Sequence, residues 1–436
     1  MWMPRELRPR IRDRGVECSP VEVRREDQLI QLRRGLERLV RRSAFYRERL
    51  QGDATVVALD NLAELPFTTK ADLQAHYPLG LLATPAERIV RVHATSGTTA
   101  HPLVVPYTPD DLTLWAKVVA RGLAAVGIWA GTRVHSALGY GLFTGGLGFQ
   151  QGAELLRATL VPASAGMTAR QLQLMTDLQA QVLLSTPSYA MHLADRYEAA
   201  GHDPTDTSLE VAVFGAEPWS EALRRRIEAR WDVTAYDTYG LSEIIGPGVA
   251  FECPARKGLH VNEDHFLAEV VHTETGEPVA DGELGELVLT ALTKEALPLL
   301  RYRTGDLTRL DRSPCDCGRT LVRMARVLGR SDDMLTVRGV NVYPSQVGEV
   351  LLRFPELCPN YQLVVDRKRD RLDELEVRVE VYEDTRGLRE LGKRLAAALH
   401  EVLGLRARPV ILPQDSLPRS QGKAARVVDR RVSGND

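Results

Sequence analysis

The spacing of apolar positions changes along the chain. Up to about residue 90 they are sparse and fall at helical intervals: Leu29, Leu32, Leu36 and Leu39 recur every three or four residues. Ahead of them Ser19-Pro20-Val21-Glu22 reads as a capping box with proline at the first helical position. Arginines here alternate with Asp and Glu, which reads as a solvated face and not as a nucleic-acid patch. Between about 90 and 310 the period keeps switching. Thr168 with Gln171 reads as the cap of a helix leading into the apolar run 182–184, and 209–214 is a second such run. Ser220 then opens a helix, and 233–236 is strand again. Apolar strands alternating with amphipathic helices predict a layered α/β core. Its strand ends run into loops rich in Gly, Ser and Thr, where such folds bind ligands.

Beyond Gly329 the texture shifts to strands at 361–365, 374–381 and 409–412 around a helix from about 385 to 403, a small α+β unit. The short charged stretch Gly329-Arg330-Ser331-Asp332-Asp333 reads as the hinge before it. The expected organisation is a large α/β domain over 1–328 with a helical lead-in over 1–90, a hinge at 329–334, and a small mobile domain over 335–436. Composition adds exclusions. The 436 residues are 44% hydrophobic and 26% charged with a net charge of −2, an ordinary globular balance without the positive excess of a nucleic-acid binder. No apolar run reaches the ~18 residues of a membrane span, and the first residues lack the apolar core of a signal peptide. Five cysteines are too few for a disulfide scaffold, so a cytoplasmic location is expected.

Four segments carry candidate chemistry. Ala94-Thr95-Ser96-Gly97-Thr98-Thr99 follows an expected strand at 89–92 and offers hydroxyl and backbone donors to an anion, though it is not a Walker A loop. Tyr239-Gly240-Leu241-Ser242-Glu243 puts an aromatic face, a hydroxyl and a carboxylate in one expected strand-end loop, able to serve a base, a phosphate and a divalent cation. Asp306, in Tyr302-Arg303-Thr304-Gly305-Asp306, could grip a sugar diol or cap a tight turn. Ser420-Gln421-Gly422-Lys423 ends in a lysine that alone reads as exposed.

Together, in this order and with the hinge between the third and fourth, they resemble the adenylate-forming superfamily of acyl-CoA ligases, adenylation domains and luciferases. The segments 139–148, Phe214-Gly215-Ala216-Glu217-Pro218-Trp219, and Gly329 to Leu335 running on to Arg338-Gly339-Val340-Asn341-Val342 most resemble the phenylacetate–CoA ligase family of aryl-acid ligases. That resemblance implies a carboxylate attacking the α-phosphate of ATP to give acyl-AMP, then CoA taking the acyl group. By the same resemblance Thr95, Ser96, Gly97, Thr98 and Thr99 would hold phosphates. Gly215, Ala216, Glu217 and Pro218 would line the adenine pocket with Asp237 and Gly240, and Tyr239 would stack on the base. Ser242 would touch the α-phosphate, Glu243 would hold Mg²⁺, and Asp306 with Arg330 would hold the ribose. Lys423 would bridge carboxylate and α-phosphate, Asp332 matches the hinge position, and Gly339 and Val340 would face CoA. For the acid, Tyr140, Gly141 and Phe143 are expected as walls, with Ala216 and the Gly246-Pro247 turn as floor. One departure stands out: Ala100-His101 follow Thr99 where the family usually has Gly-Lys, which predicts weaker ATP binding or a steeper pH dependence, since imidazole ionises near ~6.5.

Cys315-Asp316-Cys317 with Cys253 and His260 makes a Cys3His set suited to structural zinc, with free thiols in a turn as the other reading. Cys18 and Cys358 show no partner pattern. The expected ligands are thus an aryl carboxylic acid, ATP with Mg²⁺, CoA and structural Zn²⁺, with no nucleic acid and no membrane. A carrier protein or amine as acyl acceptor is the alternative to CoA, and related ligases suggest a homodimer.

Overall fold

The computed structural model describes residues 7–53, 55–56, 58–95, 102–331, 335–338, 340–366, 373–383, 385–417 and 426–431. Ser96 to Thr99, Ala100-His101, Asp332, Gly339 and the Ser420–Lys423 segment therefore lie outside the described residues.

Among the described residues, the largest sheet runs in spatial order Leu310–Asp311, Arg323–Met324, Leu259–Val261, Gly246–Glu252, Thr234–Leu241, Val211–Phe214, Val182–Ser185, Arg133–Ser136, Thr159–Val161. From Thr234–Leu241 to Thr159–Val161 the strands are parallel, and before it they are antiparallel. The Val182–Ser185 and Val211–Phe214 strands are buried throughout, as parallel strands are when helices cover both faces. Period two divides them: Val182, Leu184, Val211 and Val213 join one apolar cluster, whereas Leu183, Ala212 and Phe214 join another on the opposite face. On the first face the Pro109–Ala125 and Thr144–Leu155 helices pack closely, because Gly148 leaves room for the Trp115 ring: a Cβ there would fall 2.4 Å from Trp115 Cζ2. A second sheet pairs Phe266–Val271, Gly285–Ala291, Tyr302–Thr308 and Gly329–Arg330, all antiparallel.

The apolar residues of the C-terminal part form a cluster of their own. Leu391, Leu395, Leu399 and Leu403 recur every four residues on the Leu388–Leu403 helix and are its buried face. They pack against Leu363, Val365, Val377 and Val379 of the sheet Ala407–Pro413, Glu374–Val381, Leu357–Asp366, Val427–Asp429.

Several local expectations are corrected. The Val21–Arg42 helix starts without a side-chain cap: the Ser19 hydroxyl donates back to the Val16 carbonyl, 3.0 Å away. Arg24 of that charged run is buried, because Glu263 pairs with it at 3.0 Å. Thr168 does not cap its helix. Met167 is the cap residue in left-handed backbone, φ 46°, and Gln171 instead donates to the Gly166 carbonyl at 2.5 Å. The strand expected at 89–92 lies at Arg91–Ala94, set by its pairing with Val104–Tyr107. Tyr239, Gly240 and Leu241 belong to a strand, as do Asp306 and the Gly246-Pro247 pair, because antiparallel neighbours continue each ladder past the point where the apolar run ends.

Leu395 is fully buried. Leu395→Ala should lower unfolding stability by about 2–5 kcal/mol through transfer loss plus cavity, read from the shift of the denaturation midpoint.

Candidate active site

The strands Thr234–Leu241 and Gly246–Glu252 approach closely at Gly240, where a Cβ would fall 1.9 Å from the Gly246 carbonyl oxygen. Only glycine fits, and the tight turn beyond it presents Ser242 and Glu243 to a cavity of about 1310 Å³. The turn is pinned from below by donors from three other elements. Tyr107 Oη donates to the Ile245 carbonyl at 3.1 Å, Trp115 Nε1 to the Pro247 carbonyl at 2.9 Å, and Lys294 Nζ to the Glu243 carbonyl at 3.2 Å. Thr144 places its hydroxyl 3.2 Å from Ser242 Oγ, and Tyr302 Oη donates to Glu243 Oε1 at 3.4 Å. Sequence reading missed Tyr107, Trp115, Lys294 and Tyr302; Lys294 in particular stands in a Thr-Lys-Glu-Ala run that looks like ordinary charged surface.

Asp306 is fixed from two sides. Tyr239 Oη donates to its Oδ2 at 2.6 Å and Arg330 Nη1 to its Oδ1 at 2.9 Å. Burial first, and the Asp306 charge second, push the Tyr239 phenol far above its ordinary range, so it stays a neutral donor. Behind it Arg224 donates to both oxygens of Glu252 at 2.8 Å, with each side chain only 2% exposed, and Glu252 accepts the Asp237 amide at 2.8 Å. Burial and the neighbouring Glu252 raise the Asp237 carboxyl well above the usual carboxylate range. Ala216 sits at φ 69°, turning the Gly215–Pro218 segment into the cavity.

Thr95, Gly215, Ala216, Glu217, Pro218, Asp237, Tyr239 and Gly240 all line this one cavity with Ser242, Glu243, Asp306 and Arg330. Of the residues expected around an acid, Phe143, Ala216 and Pro247 line it as well. Tyr140, Gly141 and Gly246 do not: the Tyr140 ring lies over Gly146, and Gly246 sits beneath Trp115. The Leu142 carbonyl accepts from His93 Nδ1 at 3.0 Å and from the Ala94 amide at 3.1 Å, tying the 139–143 loop to the strand that leads into 96–101. Val340 pairs with Val337 in a short hairpin and does not line the cavity. Leu352, Tyr361 and Arg426 of the C-terminal unit also line the cavity.

Cys253, His260, Cys315 and Cys317 converge elsewhere, their ligand atoms all within 4.8 Å of one another. Cys253 and Cys315 place their sulfurs 3.7 Å apart, close to the ~3.8 Å edge of a zinc tetrahedron with ~2.3 Å bonds. His260 turns Nδ1 to the Leu321 carbonyl at 3.4 Å, leaving Nε2 3.4 Å from Cys317 Sγ.

Comparison with known proteins decides the family. Residues 38–291 match the AMP-binding enzyme family and 339–431 its C-terminal domain. The chain belongs to the AMP-binding enzyme family. It is 49% identical over 442 residues to a phenylacetate-coenzyme A ligase of Thermus thermophilus, covering 95% of this chain and 98% of that protein. A Pseudomonas putida phenylacetate-coenzyme A ligase is 44% identical, covering 96% and 97%. Among solved structures, a 2-hydroxyisobutyryl-CoA ligase in the postadenylation state, in complex with 2-HIB-AMP, superposes with a TM-score of 0.89 at 28% identity, covering 96% of this chain and 92% of that one. The same enzyme in its thioesterification state, with CoA, gives 0.72 at 30% identity over the same shares. The family member described here thus holds its two units in an arrangement similar to the postadenylation one.

Lys294 is fully buried, and desolvation lowers its pKa from 10.5 to about 8, Asp111 and Glu243 opposing. Between those values the unfolded chain binds a proton that the folded chain does not, so this group's contribution to stability is least below pH 8 and grows as pH rises to 10.5. The stability of the wild type relative to Lys294→Met should therefore rise by up to ~3 kcal/mol over that window, measured as urea midpoints at each pH.

Proposed function

We propose that this AMP-binding enzyme is an ATP-dependent aryl-acid–CoA ligase. The observation that carries the reading is one cavity lined by the Tyr239–Asp306–Arg330 cluster, by Ser242 and Glu243, and by Phe143, Phe149 and Pro247. A nucleoside fits the first, a phosphate with a divalent cation the second, and a flat apolar acid the third. Relatives named phenylacetate-coenzyme A ligase, at 44–49% identity over nearly the whole chain, support the same substrate class.

In the first step a carboxylate oxygen attacks the α-phosphorus of ATP, a P–O bond forms, and pyrophosphate leaves. Asp306, held by its two donors, is oriented to accept from the ribose hydroxyls, and Tyr239 presents its ring to the base. Ser242, carried by the pinned turn, would touch the α-phosphate. The Glu243 carboxylate suits Mg²⁺, which takes one or two carboxylates beside phosphate oxygens and would neutralise charge on the triphosphate. Lys423 stabilises the charge that develops between carboxylate and phosphate. In the second step the CoA thiolate attacks the acyl carbon and AMP leaves. Lys423 belongs to the small domain that follows the 329–334 hinge, so the two steps call for two domain arrangements. The pairing of the Gly329–Arg330 strand to Asp306 and Leu307 supports a pivot that follows Arg330. Release of AMP without CoA, as the acyl group passes to a carrier protein or amine, is the outcome that would favour the other acceptor class.

Pyrophosphate release from Mg-ATP should require an aryl acid, and AMP release should require CoA in addition. Lys423→Ala should slow acyl-AMP formation at least about 100-fold, as loss of one transition-state charge does; acyl-AMP formed at wild-type rate by that variant would remove its assigned role. We further propose that the Cys253, His260, Cys315 and Cys317 cluster holds a structural zinc. Purified protein should contain close to one zinc per chain by mass spectrometry, Cys317→Ser should lose it, and its removal should lower the melting temperature.

A further inference from the structure

The two units meet over the cavity, where a half-buried cation of the small unit faces a carboxylate of the large one. Arg426 precedes the Val427–Asp429 strand, directly after the segment that contains Lys423. Its guanidinium lies over the Tyr361 ring, 4.5 Å from the centroid, and Nη1 donates to Tyr361 Oη at 2.7 Å. Tyr361 in turn donates to the Pro344 carbonyl at 2.7 Å. On its other side Arg426 Nη2 faces Glu217 Oε2 of the large unit at 3.9 Å. Glu217 is only 6% exposed there and is steadied by Ser188, whose hydroxyl donates to Oε1 at 2.5 Å and whose amide donates to Oε2 at 3.3 Å. A chain of contacts thus runs from the first turn of the Pro187–Ala199 helix in one unit to the first turn of the Pro344–Leu351 helix in the other. The Arg196–Asp415 pair, by contrast, has both partners about half exposed and contributes little.

We propose that Arg426 is a positioning residue for acyl-adenylate formation and not for thioester formation: spanning Tyr361 and Glu217, it clasps the small unit against the nucleotide wall and so sets where the Lys423 segment departs. This rests on the ligase reading above and adds the residue that fastens the closed arrangement. The spacing suits a clasp that must open. A bidentate buried pair would hold the units shut, whereas a single 3.9 Å approach is a looser hold, and separation returns Arg426 and Glu217 to water. Similarity to the postadenylation structure, greater than to the thioesterification structure of the same enzyme, places the clasp in the first of the two arrangements.

The test uses the full chain carrying Arg426→Met, Arg426→Lys or Tyr361→Phe, with each half-reaction measured separately. Acid-dependent exchange of pyrophosphate into ATP reads adenylation; conversion of synthetic aryl-acyl-AMP with CoA reads thioester formation. Arg426→Met should slow exchange at least about tenfold, equivalent to ~1.4 kcal/mol, and leave thioester formation within about twofold. Arg426→Lys should fall between, and Tyr361→Phe should lose a few-fold in exchange alone. Equal loss in both half-reactions, or loss in neither, overturns the proposal. If Arg426→Met does not fold by circular dichroism, the other two variants decide by the same criteria. If the wild type exchanges no pyrophosphate with any aryl acid, the ligase reading fails, and small-angle scattering then judges the clasp: a more open particle for Arg426→Met supports it, and an unchanged profile overturns it.

Discussion

The site depends on a backbone contact. Gly240 and the Gly246 carbonyl pass so closely that no side chain fits between the Thr234–Leu241 and Gly246–Glu252 strands. That closeness forces the tight turn that carries Ser242 and Glu243, and it delivers Tyr239 on one strand and Pro247 on the other to the same cavity. A turn of this kind exposes carbonyls that need partners. Tyr107, Trp115 and Lys294 supply them, so the turn is held by the core and not by any ligand.

The same strand pair joins the cavity to the cysteine cluster. Gly246–Glu252 ends in the residue that pairs with Arg224 and receives the Asp237 amide, and the next residue is Cys253. Charges buried this deeply need partners. Arg224 supplies them to Glu252 through Nη2, which donates to both carboxylate oxygens, and Glu252 also receives the Asp237 amide one residue before Cys253. A structural ion there would brace the strand end without taking part in acyl transfer.

Contacts between the two units are of a different kind. Inside each unit apolar clusters hold the layers together, whereas across the cavity the described contacts include the Arg426–Glu217 and Arg196–Asp415 pairs beside Leu352, which packs against an apolar cluster of the large unit. Polar contacts exchange readily with water, so one chain can hold two arrangements within a few kcal/mol of each other. The order of events in a two-step ligation needs such a balance.

Much of this was legible in the sequence, because local rules govern it. The alternation of apolar strands and amphipathic helices determined the layered core, the leucines at 391, 395, 399 and 403 determined the buried face of the last long helix, and four short segments carried the family resemblance. The Cys253, His260, Cys315, Cys317 grouping was readable from residue type alone. Strand ends, caps and pairings were not, since antiparallel partners extended the ladders at Tyr239, Pro247 and Asp306 beyond any apolar signal. Nor was the turn of Tyr140 onto Gly146, away from the cavity. Only the tertiary structure decided that Lys294 is buried, that Tyr239 and Arg330 share Asp306, and that Arg426 meets Glu217. Each joins residues far apart in the chain, and their free energy comes from desolvation and matched charge, which no local pattern records.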